Sequence, residues 1–275
     1  MKIFVTGATG FIGSHFINLA IKNGFDVVGL KRSLYSKPRI ELDKEPNWLV
    51  KSIDELEEND FKGIDIVVHL AAHSMQPPYD SLENCMYWNV IAPIKAFQKA
   101  VNLGLKKFVI AGSCFEYGES GLLYKEIPVN APLRPTLSYS ASKAASSIAF
   151  YQMAVQFKLS LSYFRIFHVF GEGESNDRLW PSLKRAAIEG KDFPMTKGEQ
   201  IRDFIPVEYV CKRLLEQCKR DNHVPFIENL GTGIPKSILE FSQYWWEVWN
   251  ATGKLLIGEL DYRDGEIMRY VPKID

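Results

Sequence analysis

The segment that most constrains this chain lies at its start. Residues 2–6 are a short β-rich apolar run, and residues 11–23 follow with helical spacing up to Gly24. Between them stands Thr6-Gly7-Ala8-Thr9-Gly10-Phe11-Ile12-Gly13. Glycines in a strand–turn–helix have three uses: a tight turn, close approach of main chain to a pyrophosphate, and close packing of helix on strand. The free N–H groups at the helix start then face the phosphates. The spacing here is Gly-x-x-Gly-x-x-Gly rather than Gly-x-Gly-x-x-Gly. It predicts a dinucleotide held by Gly7, Thr9, Gly10, Phe11, Ile12 and Gly13.

The rest of the first half continues that alternation. Apolar runs at 26–30, 65–70, 107–111 and 160–166 read as strands, and 87–103 and 137–157 as helices. Strands apolar on both faces, alternating with helices, predict an α/β Rossmann-type doubly wound parallel sheet. After Gly171 the pattern loosens. Helices are expected at 180–189, 207–218 and 238–252, and short strands at 226–230 and 255–260. This divides the chain into a nucleotide-binding domain, residues 1–170, and a smaller C-terminal substrate lobe, residues 171–275, with the chain crossing between them.

Composition narrows the function. Lys plus Arg and Asp plus Glu each number 33 in 275 residues. A zero formal charge without a basic stripe speaks against nucleic acid as partner. No apolar run approaches the roughly 20 residues of a membrane-spanning helix, and no signal-peptide pattern opens the sequence. Cys85, Cys114, Cys211 and Cys218 are scattered without a Cys-x-x-Cys pair, so neither a disulfide scaffold nor a zinc ribbon is expected. The chain reads as a reduced, cytoplasmic, soluble protein without a metal.

Two further sets of residues carry chemistry. The second strand runs into Lys31 and Arg32, where an NAD site usually has an acidic residue for the ribose hydroxyls. Cations there attract a 2′-phosphate, which favours NADP(H) over NAD(H). Tyr139-Ser140-Ala141-Ser142-Lys143 opens a long helix. Residues four apart share a helix face, so the Lys143 ammonium is expected to lower the Tyr139 pKa from about 10. Ser113 follows the strand at 107–111, at the carboxyl edge where ligands of such sheets sit.

These segments resemble the extended short-chain dehydrogenase/reductases of the nucleotide-sugar epimerase/dehydratase/reductase group. The matching runs are Thr6–Gly13, His69-Leu70-Ala71-Ala72, Ala111-Gly112-Ser113-Cys114-Phe115-Glu116-Tyr117-Gly118 and Tyr139–Lys143. Then come Arg165-Ile166-Phe167-His168-Val169-Phe170-Gly171, Arg202-Asp203-Phe204-Ile205-Pro206-Val207 and Asn229-Leu230-Gly231-Thr232-Gly233. They stand in family order and cover nearly the whole chain. The resemblance implies that Tyr139 is the general acid/base, Lys143 its activator and ribose anchor, and Ser113 a hydrogen-bond donor to the substrate carbonyl. It implies that Leu70, Ala71 and Ala72 line the nicotinamide ribose, with Phe167 and Val169 completing the cofactor site. Ile53, between Ser52 and Asp54, stands nearest the family's adenine contact. His73, Ser74, Cys114, Phe115 and His168 would touch a nucleotide-diphosphate sugar, and Arg202 and Arg263 would grip its diphosphate. A homodimer through the helices at 87–103 and 137–157 is implied as well.

Departures from the family pattern shape the reading. Dehydratases carry an Asp-Glu pair where Cys114 and Phe115 stand, so dehydration loses its acid and base. Glu116 is near, but a strand would turn its side chain to the opposite face. Epimerases of the group carry an acidic residue where Lys31 stands. His168 replaces a frequent Asn, which makes contact at that point sensitive to pH. The family usually continues beyond Val271-Pro272-Lys273-Ile274-Asp275, so either the C-terminal lobe is short, which would leave a more open sugar pocket, or the sequence stops early. The expected activity is therefore NADPH-dependent reduction of a nucleotide-linked keto-deoxy-sugar at C4. The alternatives are a nucleotide-sugar 4-epimerase and a non-catalytic NADP-sensing protein. His69 and His73 straddle a strand end and read as structural rather than as a zinc pair. Cys211, Cys218 and the Trp245, Trp246, Trp249 group read as packing.

Overall fold

The computed structural model describes residues 1–220, 224–263 and 265–274. In chain order the strands are β1 (Lys2–Thr6), β2 (Asp26–Lys31), β3 (Asn47–Val50), β4 (Ile66–His69), β5 (Lys107–Ser113), β6 (Ser160–Ile166) and β7 (His168–Phe170). Then follow β8 (Phe193–Met195), β9 (Ile201–Pro206), β10 (Phe226–Leu230), β11 (Pro235–Ser237), β12 (Leu255–Ile257) and β13 (Arg269–Tyr270). The helices are α1 (Phe11–Lys22), α2 (Leu82–Met86), α3 (Ala92–Asn102), α4 (Ser138–Phe157), α5 (Leu179–Ile188), α6 (Val207–Lys219) and α7 (Ile238–Val248).

Among the described residues, seven strands form one sheet in the order β10-β6-β5-β4-β1-β2-β3, and every pairing in it is parallel. The order reverses between β1 and β4, which opens a crevice at their carboxyl ends. Alternate side chains of each strand feed two cores. Ile3 and Val5 pack with Phe16 and Ile17 of α1 and Val210 and Leu214 of α6. Phe4 packs on the other face with Phe97 of α3 and Phe150 and Met153 of α4. The sheet is thus covered on both sides, which is why its central strands β1 and β4 carry no polar alternation.

Residues beyond 170 do not all leave this layer. β10 completes the sheet beside β6, and α6 lies against α1. The remaining strands form two small sheets that carry the second wall of the crevice: β9 with β7, β11 and β13, and β8 with β12. Here the sequence reading needs correction. β3 is a half-exposed edge strand with only three apolar residues, Trp48, Leu49 and Val50, and β9 carries Arg202 and Asp203 in its middle, so neither shows an apolar run of the length by which strands are recognised. The helix expected at 87–103 begins at Leu82 and passes through one π-helical turn, Tyr87–Ile91, before α3. That turn buries Asn89. α7 ends at Val248, four residues short of expectation, and β12 at Ile257 rather than 260.

Candidate active site

The glycine turn sits at the crevice and is shaped by contact with β4. Gly7 has φ +66°, and a Cβ there would lie 2.6 Å from the Ala71 nitrogen. A Cβ on Gly13 would run into the Gly7 carbonyl oxygen. The turn therefore needs glycine for backbone reasons. Gly10 is the N-cap of α1, no side chain caps the helix, and its first turn holds no acidic residue. The first N–H groups, from Phe11, Ile12 and Gly13, have no partner inside a helix. A main-chain cradle with free donors and positive end charge fits a dinucleotide pyrophosphate. Thr9 lies in the turn before Gly10. The Thr6 hydroxyl ties it to β4 by facing His69 Nδ1 at 2.6 Å and accepting the Ala71 N–H at 3.3 Å. Leu70, Ala71 and Ala72 thus follow β4 directly across from the turn. Phe167 is buried, and its N–H donates to the Leu230 carbonyl at 3.0 Å. Val169 sits in β7.

On the adenosine side, Lys31 ends β2 with its ammonium 4.9 Å over the Trp48 ring, and Arg32 beside it is exposed. Ile53 opens a short 3-10 turn and packs against the core between the sheet and α3. Its neighbour Asp54 accepts the Tyr87 hydroxyl at 3.1 Å.

Ser113, Tyr139 and Lys143 meet where β5 ends and α4 begins. All three are buried. The Lys143 Nζ donates to the Ala111 carbonyl oxygen at 2.7 Å. Burial pulls its pKa from 10.5 down to about 8, and the Glu116 charge resists. The expected lowering of Tyr139 does not occur. Burial raises the phenol above its ordinary 10, outweighing a Ser113 hydrogen bond that lowers it. The physical reason is that the helix spacing is right but the desolvation of a buried phenolate exceeds the help of neighbouring groups. Tyr79 lies parallel to Tyr139, with ring centroids 6.3 Å apart.

The pocket wall beside Ser113 is Cys114 and Phe115. β5 stops at Ser113, and Cys114–Tyr117 forms a 3-10 turn rather than more strand. Glu116 is turned away by this turn, not by strand alternation, and folds back to accept the Ser113 N–H. Burial pushes the Cys114 thiol up to about 12. Phe115 meets His168 edge to face at 6.2 Å. His168 is held near 3 by burial first and then by Arg202 and Arg178. It stays neutral through the physiological range, contrary to the pH sensitivity expected of it, and its buried Nδ1 has no partner.

The charged end of the crevice differs from expectation in its members. Arg202, on β9, is buried and donates to Glu266 Oε1 at 3.0 Å. Arg263 is exposed, and its carbonyl accepts the Glu266 N–H at 3.0 Å. Asp264 of that motif lies outside the described residues. Arg178 was not singled out by any motif. Its charge acts on both His168 and Cys114, and its Nε is 3.7 Å from Glu174 Oε1. Burial raises Glu174 to about 7. The loop bearing both is tied across the crevice by His15 with the Glu172 carbonyl and by Ser175 with Gln76.

His73 and Ser74, expected against the substrate, hold their own loop. His73 Nε2 pairs with Asp80 at 2.8 Å, and Asp80 N–H donates to the Ser74 hydroxyl at 2.8 Å. Ser74 adopts left-handed backbone, φ 62°. Asn89, from the π-helical turn, accepts the His73 N–H at 2.7 Å and donates to the Ser142 hydroxyl at 2.9 Å. It thereby ties this loop to α4. His69 is fully buried against Phe97 and Phe150.

A parallel sheet of this strand order, a glycine turn at its switch point and a Ser-Tyr-Lys group at the adjacent strand end are the marks of a Rossmann-type dehydrogenase/reductase. The chain belongs to the NAD dependent epimerase/dehydratase family, whose pattern matches residues 3–225. It is 26% identical over 273 residues to a CDP-abequose synthase of Salmonella muenchen, covering 97% of this chain and 87% of that one. It is 28% identical over 260 residues to a UDP-glucose 4-epimerase of Corynebacterium glutamicum, covering 85% and 76%. Among solved structures, an NAD-dependent NDP-hexosamine 5,6-dehydratase of tunicamycin biosynthesis superposes with a TM-score of 0.83 at 26% identity, covering 99% of this chain and 89% of that one. Among the described residues no helix is long and apolar enough to cross a membrane.

Proposed function

We propose that the protein is an NADP(H)-dependent 4-ketoreductase of a nucleotide-linked keto-deoxy-sugar. The observation that carries this reading is the wall after Ser113. Cys114 and Phe115 offer no group that exchanges a proton at neutral pH, since the thiol is pushed up to about 12. A carbonyl site without paired carboxyls suits addition to C=O rather than loss of water. Burial also keeps Tyr139 a phenol, the form that gives a proton.

A nicotinamide cofactor, when bound there, would supply the hydride for a keto carbon of the sugar. Tyr139 gives its proton to the carbonyl oxygen, and the Ser113 hydroxyl hydrogen-bonds that oxygen as charge develops. Lys143, anchored on the Ala111 carbonyl, stabilises the phenolate left behind. Arg202 exchanges its Glu266 partner for the substrate diphosphate, whose oxygens match a planar guanidinium; Arg178 lies on the same side. Gly7, Thr9, Gly10, Phe11, Ile12 and Gly13 hold the cofactor diphosphate. Lys31 and Arg32 would face a 2′-phosphate, which supports NADP(H). The outward faces of α4 and its neighbour carry Ile91, Ile148, Tyr151 and Val155 exposed, and a second copy of the chain would cover them. Four buried free cysteines accord with a cytoplasmic setting.

The 4-epimerase reading is favoured by identity to UDP-glucose 4-epimerases, 28% for that of Corynebacterium glutamicum and 27% for that of Lactobacillus helveticus. The test is turnover of a panel of nucleotide-linked 4-keto-6-deoxy-sugars with NADPH or NADH, followed at the nicotinamide absorbance. NADPH-selective loss is expected. Sugar isomers without loss would move the assignment to epimerase. Neither loss nor a new sugar would overturn both in favour of a binding protein.

A further inference from the structure

The chemistry above leaves the buried carboxylate of Glu116 unused. Glu116 is fully buried beneath the turn after β5. Its Oε1 accepts the Ser113 N–H at 2.8 Å and the Tyr163 hydroxyl at 3.0 Å. Its Oε2 accepts the Arg165 Nε–H at 2.7 Å. The Tyr163 hydroxyl also lies 3.2 Å from the Lys143 carbonyl oxygen. One phenol proton therefore stands between the carboxylate and the helix that carries Tyr139 and Lys143. Arg165 extends the network to the Val129 carbonyl at 2.8 Å and the Tyr117 hydroxyl at 3.1 Å, and Tyr117 donates to Asn229 Oδ1. Gly112 leaves the room for this. A Cβ there would strike the Tyr163 ring and lie 2.6 Å from Glu116 Oε1. A buried ion pair adds little stability over apolar packing of the same shape. Its use is in fixing groups that must be placed to a fraction of an ångström.

We propose that Glu116 is a positioning residue for the Ser113–Tyr139–Lys143 group, holding the Ser113 main chain directly and the Lys143 main chain through Tyr163 at one fixed spacing. The inference rests on the function proposed above for its turnover readout only. Glu116 also faces Tyr139 and Lys143 electrostatically and raises both. The other titratable or charged groups around them are His69 from β4, Cys114 from the turn, Tyr79 from the loop before α2, and Tyr163 and Arg165 from β6.

The test uses Tyr163→Phe and Glu116→Gln in protein with cofactor bound. Tyr163→Phe removes one oxygen and keeps the ring against Gly112. Its kcat is expected to fall about ten-fold, as misplaced groups do, with KM for the sugar held within about two-fold. The Tyr139 titration, read by ¹³C NMR of labelled tyrosine and assigned with Tyr139→Phe, should move to higher pH because the ammonium is less well placed. In Glu116→Gln it should move to lower pH, since a negative charge is gone. A fall in Tm with kcat and titration unchanged would overturn the inference. If Glu116→Gln fails to fold, because Arg165 is left unpaired, Tyr163→Phe decides alone. If the unaltered protein reduces no nucleotide sugar, the functional reading fails separately. The inference then stands or falls on the Tyr139 titration of Tyr163→Phe.

Discussion

Where α1 meets the sheet, the crevice is built from main chain; across it, on β9 and the loop after β7, it is built from charged side chains that hold one another. Gly7, Gly10 and Gly13 act by what they lack, and the donors there are N–H groups fixed by the helix. Opposite them, Arg202 leans on Glu266 and Arg178 on Glu174, while His168 stays neutral between the two arginines. The first wall is rigid before any ligand arrives. The second carries its own counter-ions, which the anionic substrate proposed above would have to replace. On the proposed function, the difference teaches that the two halves of one substrate–cofactor pair would be recognised by different physics: fixed dipoles on one side, exchange of ion partners on the other.

Four substitutions sharpen or break that contrast. The largest effect belongs to the group between the walls. Tyr139→Phe should lower turnover about 1,000-fold, while the dissociation constant of the cofactor, measured by fluorescence titration, stays within about two-fold. Next is the main-chain wall. Gly13→Ala places a methyl on the Gly7 carbonyl oxygen, and cofactor binding should weaken about 100-fold or more as the turn is forced apart. A Gly13→Ala protein with unaltered cofactor affinity would mean that the wall is not rigid. For the side-chain wall, Arg202→Ala should raise KM for the nucleotide sugar about 30-fold, the loss of one charged hydrogen bond. It should change kcat much less. A fall in kcat with KM unmoved would instead place Arg202 in the chemistry.

The smallest effect concerns pH. Burial lowers His168 and His69 from 6.5 to about 3 in the folded protein. The unfolded chain therefore binds more protons below 6.5. The stability linked to these residues is fully present above about pH 6.5 and is lost as pH falls toward 3. His168→Asn removes one of the two titrations, so its Tm should decline less steeply with acid than that of the parent. Parallel Tm–pH curves from calorimetry would show that His168 does not contribute.

Much of the first wall was legible in the sequence. Thr6–Gly13 announces its turn because glycine spacing reports backbone geometry, which is local. The strands at 107–111 and 160–166 were legible because both faces are covered. Ser113, Tyr139 and Lys143 could be named because each sits at an element end that the sheet topology brings together. The second wall was read only in part. Arg202 stood in a recognisable run, but Arg178 and Glu174 lie in a loop without periodicity, and Glu266 answers Arg202 from 64 residues away. Tyr79 against Tyr139 and Asn89 against Ser142 left no sequence signal either. The expected direction of the Tyr139 shift failed for the same reason. Helical spacing reveals a neighbouring charge but not the degree of burial.

By itself, then, the amino-acid order determined a parallel sheet with a glycine turn at its first strand and the residue types that can move a hydride's companion proton. These follow from periods of two and 3.6 residues and from the backbone freedom of glycine, all set within about a dozen neighbours. Only the tertiary structure decided which charges pair, that His168 stays neutral, and that Glu116 turns inward beneath Ser113 rather than toward substrate. Desolvation and ion pairing depend on what chain packs around a group, and that chain arrives from far along the sequence.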